Sequence, residues 1–356
     1  MRAIPTNYIK DGAILGEDLF TAKGIILLRK GTKLNSTIVK KINDHKIFTV
    51  YINDEHSDSE VNRLISQSYR VQGTQIIKEL FDAATQSKGI LSAHNKLSAL
   101  ADDILYELST VKDYQIEYTD IKNVDIYVYS SALNVAVMAA LLAWDLQQNN
   151  EMVKQIFLGA IYHDIGIAML PENVINKSTE LTIEEKMMII KHPLAGHNFL
   201  KDKAFLSAYI KVITLQHHEH IDGSGYPNRV KGEDINCFAQ IVGIVDVYDA
   251  MTSDRPYKKG TTSKEAIEYI MGAAGTHFDF NIASAFMNRI NPYPKGSLVE
   301  LSDGRNAVID FVQNDLPLRP VIKIISRDGD SFRYETVDLR IEPSIIINDI
   351  IHELTI

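Results

Sequence analysis

Apolar positions in the first fifty residues come in short runs broken by glycine. Gly12, Gly16, Gly24 and Gly31 set off stretches such as Ile25-Ile26-Leu27-Leu28, which predicts small strands joined by turns. A short helix from Ser36 to His45 follows, with Ser36 as its N-cap, and Phe48-Thr49-Val50-Tyr51-Ile52 reads as a closing strand. After an acidic, polar linker the spacing becomes helical. Ile76, Ile77, Leu80 and Phe81, then Leu97, Leu100, Ile104, Leu105 and Leu108, recur every three or four residues and predict two amphipathic helices. A more apolar helix is expected from Ile121 to Leu146 and a fourth from Glu151 to Tyr162, with helix following helix to Arg289. Beyond Pro292 and Pro294 the runs Leu298 to Leu301, Ala307 to Val312 and Val321 to Ile325 are strand-like, divided by Asp303-Gly304 and Asp328-Gly329. The expected class is mainly α, a helical bundle with a small α+β N-terminal unit and a small β C-terminal appendage. Its expected divisions are 1–58 for the N-terminal unit, 59–120 for accessory helices, 121–291 for the main helical domain and 292–356 for the β-rich extension.

Composition narrows the function. The net charge of −9 repels a long nucleic-acid backbone, so polymer binding is not expected, although a small anion held by metals or a few cations is compatible. The apolar stretch from Ala132 to Trp144 contains Asn134 and is shorter than the roughly 20 residues of a membrane span. It reads as a buried helix. Met1 to Lys10 holds no apolar run of signal-peptide kind, and the single cysteine, Cys237, allows no internal disulfide framework, so a reducing cytoplasm is the expected location. Cys237 itself reads as a small buried hydrophobe. His45 and His56 stand alone and read as surface residues.

The helical part carries the chemistry. His163-Asp164, Lys191-His192-Pro193, His217-His218 and Asp246 each fall at or near a predicted apolar helix face, where a charge or imidazole is costly unless paired or coordinated. Taken singly, each histidine reads as an ordinary hydrogen-bonded group. Together they point to a shared partner, and imidazoles with carboxylates and no thiolate suit Fe, Mn, Zn, Ni or Mg. A carboxylate such as Asp164 has two oxygens and can bridge two metals about 3.5–4 Å apart. The run from His217 to Pro227 adds a loop with Gly223 and Gly225, where backbone can approach a ligand closely.

In order and wording these residues resemble the HD-GYP family of metal-dependent phosphodiesterases, a branch of the HD phosphohydrolases. The resemblance runs through His163-Asp164-Ile165-Gly166, Lys191-His192-Pro193 with Gly196, and His217 to Pro227. It continues through Asp246-Val247-Tyr248-Asp249 to Tyr257 and on to Gly275-Thr276-His277-Phe278-Asp279. It implies an HD-type bundle around a centre of two divalent ions, Fe, Mn or similar, that hydrolyses cyclic di-GMP to linear pGpG and/or GMP. Carried onto matching positions, His163, Asp164, His192, His217, His218 and Asp246 are metal ligands, with Asp164 bridging and Asp164 and His192 catalytic. Gly223, Gly225 and Tyr226 shape the loop that meets the substrate, and Arg255 and Lys258 hold phosphate, as a planar fork and a point charge respectively.

Two positions depart from the family pattern. Ser131 stands where the family has the histidine of a His-Ser-x-Asn-Val phrase, and Ile167 stands where it has the lysine of His-Asp-Ile-Gly-Lys. Ser131 removes an imidazole, which leaves room for fewer ions than two, and Ile167 removes a cation that could meet a phosphate. The alternative expectation is therefore a degenerate member that binds cyclic di-GMP, or a signalling partner such as a diguanylate cyclase, without cleaving it. A third is hydrolysis of a mixed cyclic dinucleotide.

Overall fold

The computed structural model describes residues 1–21, 25–45, 47–53, 64–86, 88–111, 114–117, 127–171, 174, 177, 182–253, 260–313, 316–328 and 331–354. They fall into two units, one made of 64–114 and 126–287, the other of 1–63, 115–125 and 288–356.

The first unit is helical. α2 (Gln67–Gln86) and α3 (Ile90–Ser109) form an amphipathic pair that buries Ile76, Ile77, Leu80 and Phe81 on one helix and Leu97, Leu100, Ile104 and Leu108 on the other. α4 (Tyr127–Asp145) is apolar all round, and every residue from Ala132 to Ala143 is buried. Such a helix belongs in a core. By length and composition it could also cross a membrane, but 67% of that window is buried within the bundle. It packs against α2, against α5 (Asn150–Tyr162) and against α9 (Cys237–Thr252). A 3-10 helix (Ile165–Met169), α6 (Ile183–Ile189), α7 (His192–Leu200) and α8 (Ala208–Gln216) lie between α5 and α9, and α10 (Ser263–Ala273) and α11 (Phe280–Met287) close the unit. The residues 118–126 at the expected start of the long apolar helix lie outside the described residues.

In the second unit, β1 (Arg2–Pro5), β5 (Thr49–Asn53) and β2 (Ile14–Leu15) form an antiparallel sheet in the order β1-β5-β2, beside a hairpin of β3 (Leu19–Phe20) and β4 (Ile26–Leu28). α1 (Ser36–Asp44) completes that core with Ile42. Its N-cap is Asn35, whose side chain accepts the Ile38 N–H at 2.9 Å, and not Ser36 as the sequence predicted. Asn and Ser cap equally well, and here Asn35 adopts the extended backbone that a cap needs.

β6 (Ile116–Glu117) pairs with β7 (Ile290–Asn291) in parallel. β8 (Leu298–Leu301), β9 (Asn306–Phe311) and β10 (Val321–Asp328) appear where expected, and β11 (Ser331–Asp338) and β12 (Ile347–Ile351) extend them to a five-stranded antiparallel sheet in the order β11-β10-β9-β8-β12. β11 escaped the sequence reading because its residues are largely exposed and lack an apolar face. Cys237, expected to be buried, is exposed at the first position of α9. Phe238 and Ile241 take the inward face of that helix instead.

Candidate metal centre

The candidate ligands sit mostly at helix ends. His163 closes α5, Asp164 opens the 3-10 helix, His192 is the first residue of α7, and His217 ends α8 with His218 next in the chain. Asp246 is the one of the six in the interior of a helix, α9. Helix termini meet in space only if backbones approach closely, and glycine permits this. A Cβ on Gly166 would lie 2.0 Å from the His192 carbonyl oxygen, and one on Gly243 would lie 2.4 Å from that of His217. The first contact brings the 3-10 helix onto α7, and the second brings α9 onto the end of α8 one turn before Asp246.

The resulting cluster has two overlapping halves. Ligand atoms of Asp164, His192, His217 and His218 lie within 4.8 Å of one another, as do those of His163, Asp164 and Asp246. Asp164 belongs to both. Its Oδ1 is 2.9 Å from His192 Nε2 and 3.9 Å from His217 Nε2, while its Oδ2 is 3.4 Å from His163 Nε2. The carboxylate thus turns one oxygen to each half.

The imidazoles are oriented from behind. Nδ1 of His163 is 2.6 Å from the Ala160 carbonyl, Nδ1 of His192 is 2.8 Å from that of Ile189, and Nδ1 of His217 is 3.1 Å from those of Ile213 and Thr214. A carbonyl only accepts, so each Nδ1 carries a proton and, in the neutral ring, Nε2 presents a lone pair to the cluster. Two such lone pairs, on His192 and His217, face each other at 3.2 Å. His163 Nε2 is buried without a hydrogen-bond partner, although Asp164 and Asp246 each lie at 3.4 Å. Acceptors facing acceptors out of water repel unless a cation lies among them.

The acidities divide the rings, His163 being held protonated by the two carboxylates while His217 and His218 are held neutral. Burial pushes His163 down, but the Asp164 and Asp246 carboxylates outweigh it and hold the imidazole well above its ordinary value. Burial also pushes Asp164 up, and here the His163 and His192 rings hold it well below the usual carboxylate range. Burial, with the neighbouring rings of His218, His163 and His192, keeps His217 well below normal, and burial carries His218 down to about 4. His217 and His218 are therefore neutral near pH 7 and free to coordinate. The donor set fits a divalent metal, since imidazole nitrogens and carboxylate oxygens without thiolate are its ordinary ligands.

Ser131 is elsewhere engaged. Its hydroxyl donates a very short hydrogen bond to Asp249 Oδ2, and Asp249 is fully buried. Ile167 is half-buried in the 3-10 helix. Tyr226 reaches the cluster, its ring 4.7 Å from that of His218, and burial together with Asp164 and Asp246 raises its phenol. Gly223 and Gly225 lie in the same loop, whereas Arg255 and Lys258 fall outside the described residues. Sequence reasoning passed over Gly243 and, although Asp249 and Glu219 fall within the motif stretches, gave neither a role. The only signal for Gly243 is a glycine inside an otherwise apolar helix, a pattern that marks close backbone packing.

The HD domain family matches residues 79–282, and a family described as a KOW domain associated with HD domain matches 298–356. The chain is 34% identical over 265 residues to the cyclic di-GMP phosphodiesterase PA4108 of Pseudomonas aeruginosa, an alignment that covers 74% of this chain and 63% of that one. It is 37% identical over 153 residues to the cyclic di-GMP phosphodiesterase response regulator RpfG of Xanthomonas campestris pv. campestris, covering 42% and 40%. The chain thus spans less than two-thirds of the length of either relative. Among solved structures it resembles Bd1817, an HDG"Y"P protein from Bdellovibrio bacteriovorus, with TM-score 0.50 at 17% identity over 80% of this chain and 97% of that one, a likeness of fold.

Proposed function

The chain belongs to the HD domain family, and from that premise we propose that it is a metal-dependent phosphodiesterase that hydrolyses cyclic di-GMP to linear pGpG and/or GMP. The observation that carries this reading is the gathering of four imidazoles and two carboxylates in two groups that share Asp164, with the His192 and His217 Nε2 atoms facing each other at 3.2 Å. The names of the curated relatives support the substrate.

Asp164, His192, His217 and His218 would hold one divalent ion, and His163, Asp164 and Asp246 a second, iron or manganese or similar. Such ions supply charge neutralisation at a phosphodiester and acidify water to about pKa 7. The chain's own residues do the rest. Asp164 ties the two halves together through its two oxygens. His192, its Nε2 2.9 Å from Asp164 Oδ1, would share an ion with that carboxylate and with it shape the reacting centre. Tyr226 and the backbone at Gly225 border the cluster on the loop side, and Gly223, packed against Lys231, would shape the same loop. Arg255 and Lys258 would hold the phosphate or ribose side of the substrate, a role that rests on their place in the sequence motif. A cytoplasmic location belongs to the same reading.

One observation favours a second reading. The Ser131 hydroxyl is committed to Asp249, so it adds no ligand, and Ile167 adds no cation. A chain so altered would bind cyclic di-GMP, or a partner such as a diguanylate cyclase, without hydrolysis. The test is metal content per chain after purification, run beside calorimetric binding and hydrolysis of cyclic di-GMP and of a mixed cyclic dinucleotide with Mn or Fe. Two ions with turnover support the enzyme, binding without turnover supports the sensor, and neither binding nor turnover refutes both.

A further inference from the structure

Glu219 follows the two adjacent histidines and is 6% exposed. Its carboxylate accepts two backbone hydrogen bonds from across a loop, Oε1 from the Asn228 N–H at 2.6 Å and Oε2 from the Val230 N–H at 3.2 Å. Two amides that flank one residue converge on a single group when that residue turns the backbone back. Arg229 does so, with φ 57°. Amides around such a left-handed residue form a concave nest for an anion. A side chain in this region strains the backbone, and Arg229 is exposed, so packing of its side chain does not impose the conformation. The carboxylate in the nest can.

The near end of the loop lies on the histidine wall. A Cβ on Gly225 would meet the His220 nitrogen at 2.4 Å, the His218 carbonyl at 2.5 Å and the Glu219 Cα at 2.6 Å, so only glycine allows the contact. The Tyr226 N–H donates to the His218 carbonyl at 3.1 Å, and its ring rests against the His218 ring. The chain therefore leaves the wall at Glu219, folds back on it at Gly225 and Tyr226, and is held at 228–230 by Glu219 again.

We infer that Glu219 is a positioning residue that, seated in the 228–230 nest, holds Gly225-Tyr226-Pro227 against His218 and so keeps Tyr226 at the border of the metal centre. A carboxylate is required because both groups it meets are donors. Glutamine would offer one acceptor oxygen and turn its own N–H groups on the other amide. The consequence for turnover rests on the phosphodiesterase reading; the consequence for the loop does not.

The experiment uses the full chain loaded with manganese and compares Glu219→Gln, Arg229→Val and Arg229→Gly with the parent. Hydrogen exchange at the Asn228 and Val230 amides should quicken about 10- to 100-fold in Glu219→Gln, the loss expected for hydrogen bonds to a charged group. Arg229→Val should do the same, because a β-branched residue resists positive φ, whereas Arg229→Gly should keep the parent's protection. Metal per chain should be unchanged in all three. The KM for cyclic di-GMP should rise by a larger factor than kcat falls in the first two. Parent-like exchange in Glu219→Gln or in Arg229→Val overturns the inference. So does fast exchange in Arg229→Gly, which would assign the effect to the arginine charge, or loss of metal in step with loss of protection. If Glu219→Gln does not fold, the two Arg229 variants decide. The expected exchange pattern without turnover in any chain, the parent included, refutes the phosphodiesterase reading and leaves the role of Glu219 standing.

Discussion

Gly166→Ala isolates the contact that brings the 3-10 helix after Asp164 onto the helix of His192 at the candidate metal centre. Gly166 is not in a left-handed conformation, so alanine meets no backbone strain there. The added methyl would nevertheless sit 2.0 Å from the His192 carbonyl oxygen and 2.7 Å from the Gly196 nitrogen, against a floor of 3.0 Å for real Cβ contacts. Both obstacles are backbone, so the 3-10 helix and α7 must part by about 1 Å at the point where Asp164 Oδ1 meets His192 Nε2 at 2.9 Å. Overpacking of this kind costs about 1–3 kcal/mol. In a unit of this size each kcal/mol lowers Tm by roughly 2–4 °C, so a fall between about 2 and 12 °C is expected. A shift of about 1 Å among reacting groups costs on the order of 100-fold in rate. The assay is thermal unfolding, metal per chain by elemental analysis and cyclic di-GMP hydrolysis. Gly272→Ala serves as control, since no described atom lies within 4 Å of its added methyl and it should be neutral or slightly stabilising. If Gly166→Ala retains full metal, parent-like Tm and parent-like turnover, close backbone approach is not what assembles the site.

Chelation should destabilise the helical unit. An ion at 100 times its dissociation constant stabilises by about 2.7 kcal/mol, so removal with EDTA should lower Tm by roughly 5–11 °C and reloading should restore it, with no shift refuting a metal site. Ser131→His should add a donor beside Asp249 and Ile167→Lys a cation beside Asp164. The double variant should raise kcat/KM for cyclic di-GMP about 10-fold or more by analogy with the cost of altering ligand surroundings, and an unchanged, already substantial rate would show that neither residue weakens the site. His94 pairs with the Tyr162 hydroxyl at 3.1 Å, and burial, with Lys154 nearby, lowers its pKa below 6.5. The unfolded chain then takes up the proton first, so this contribution to stability is present above about pH 6.5 and is lost as pH falls toward the folded value. His94→Gln should flatten the stability profile measured by urea unfolding between pH 7 and 5, and an equally steep profile would refute the assignment.

Much of this protein was legible in its sequence because the relevant signals are local. Hydrophobic spacing marked α2, α3, α4 and α5, since one buried face imposes one period, and the β8, β9 and β10 strands announced themselves by apolar runs between turn residues. The strand β11 did not, because an exposed strand has no apolar face to reveal it. The types and the order of the candidate ligands His163, Asp164, His192, His217, His218 and Asp246 could likewise be read directly, as residue chemistry is a property of the chain itself. Tertiary structure alone decided how they meet. Gly166 and Gly243 act through the backbone that they allow to approach, Asp164 turns one oxygen to each half of the cluster, and Glu219 accepts from amides nine and eleven residues away. Ser131 is the sharpest case. Its sequence shows a missing imidazole, but only the packing of α4 against α9 shows that the hydroxyl in its place belongs to Asp249. Spacing along a chain specifies which face a side chain occupies, and distance between faces of different helices is set by packing that no single stretch encodes.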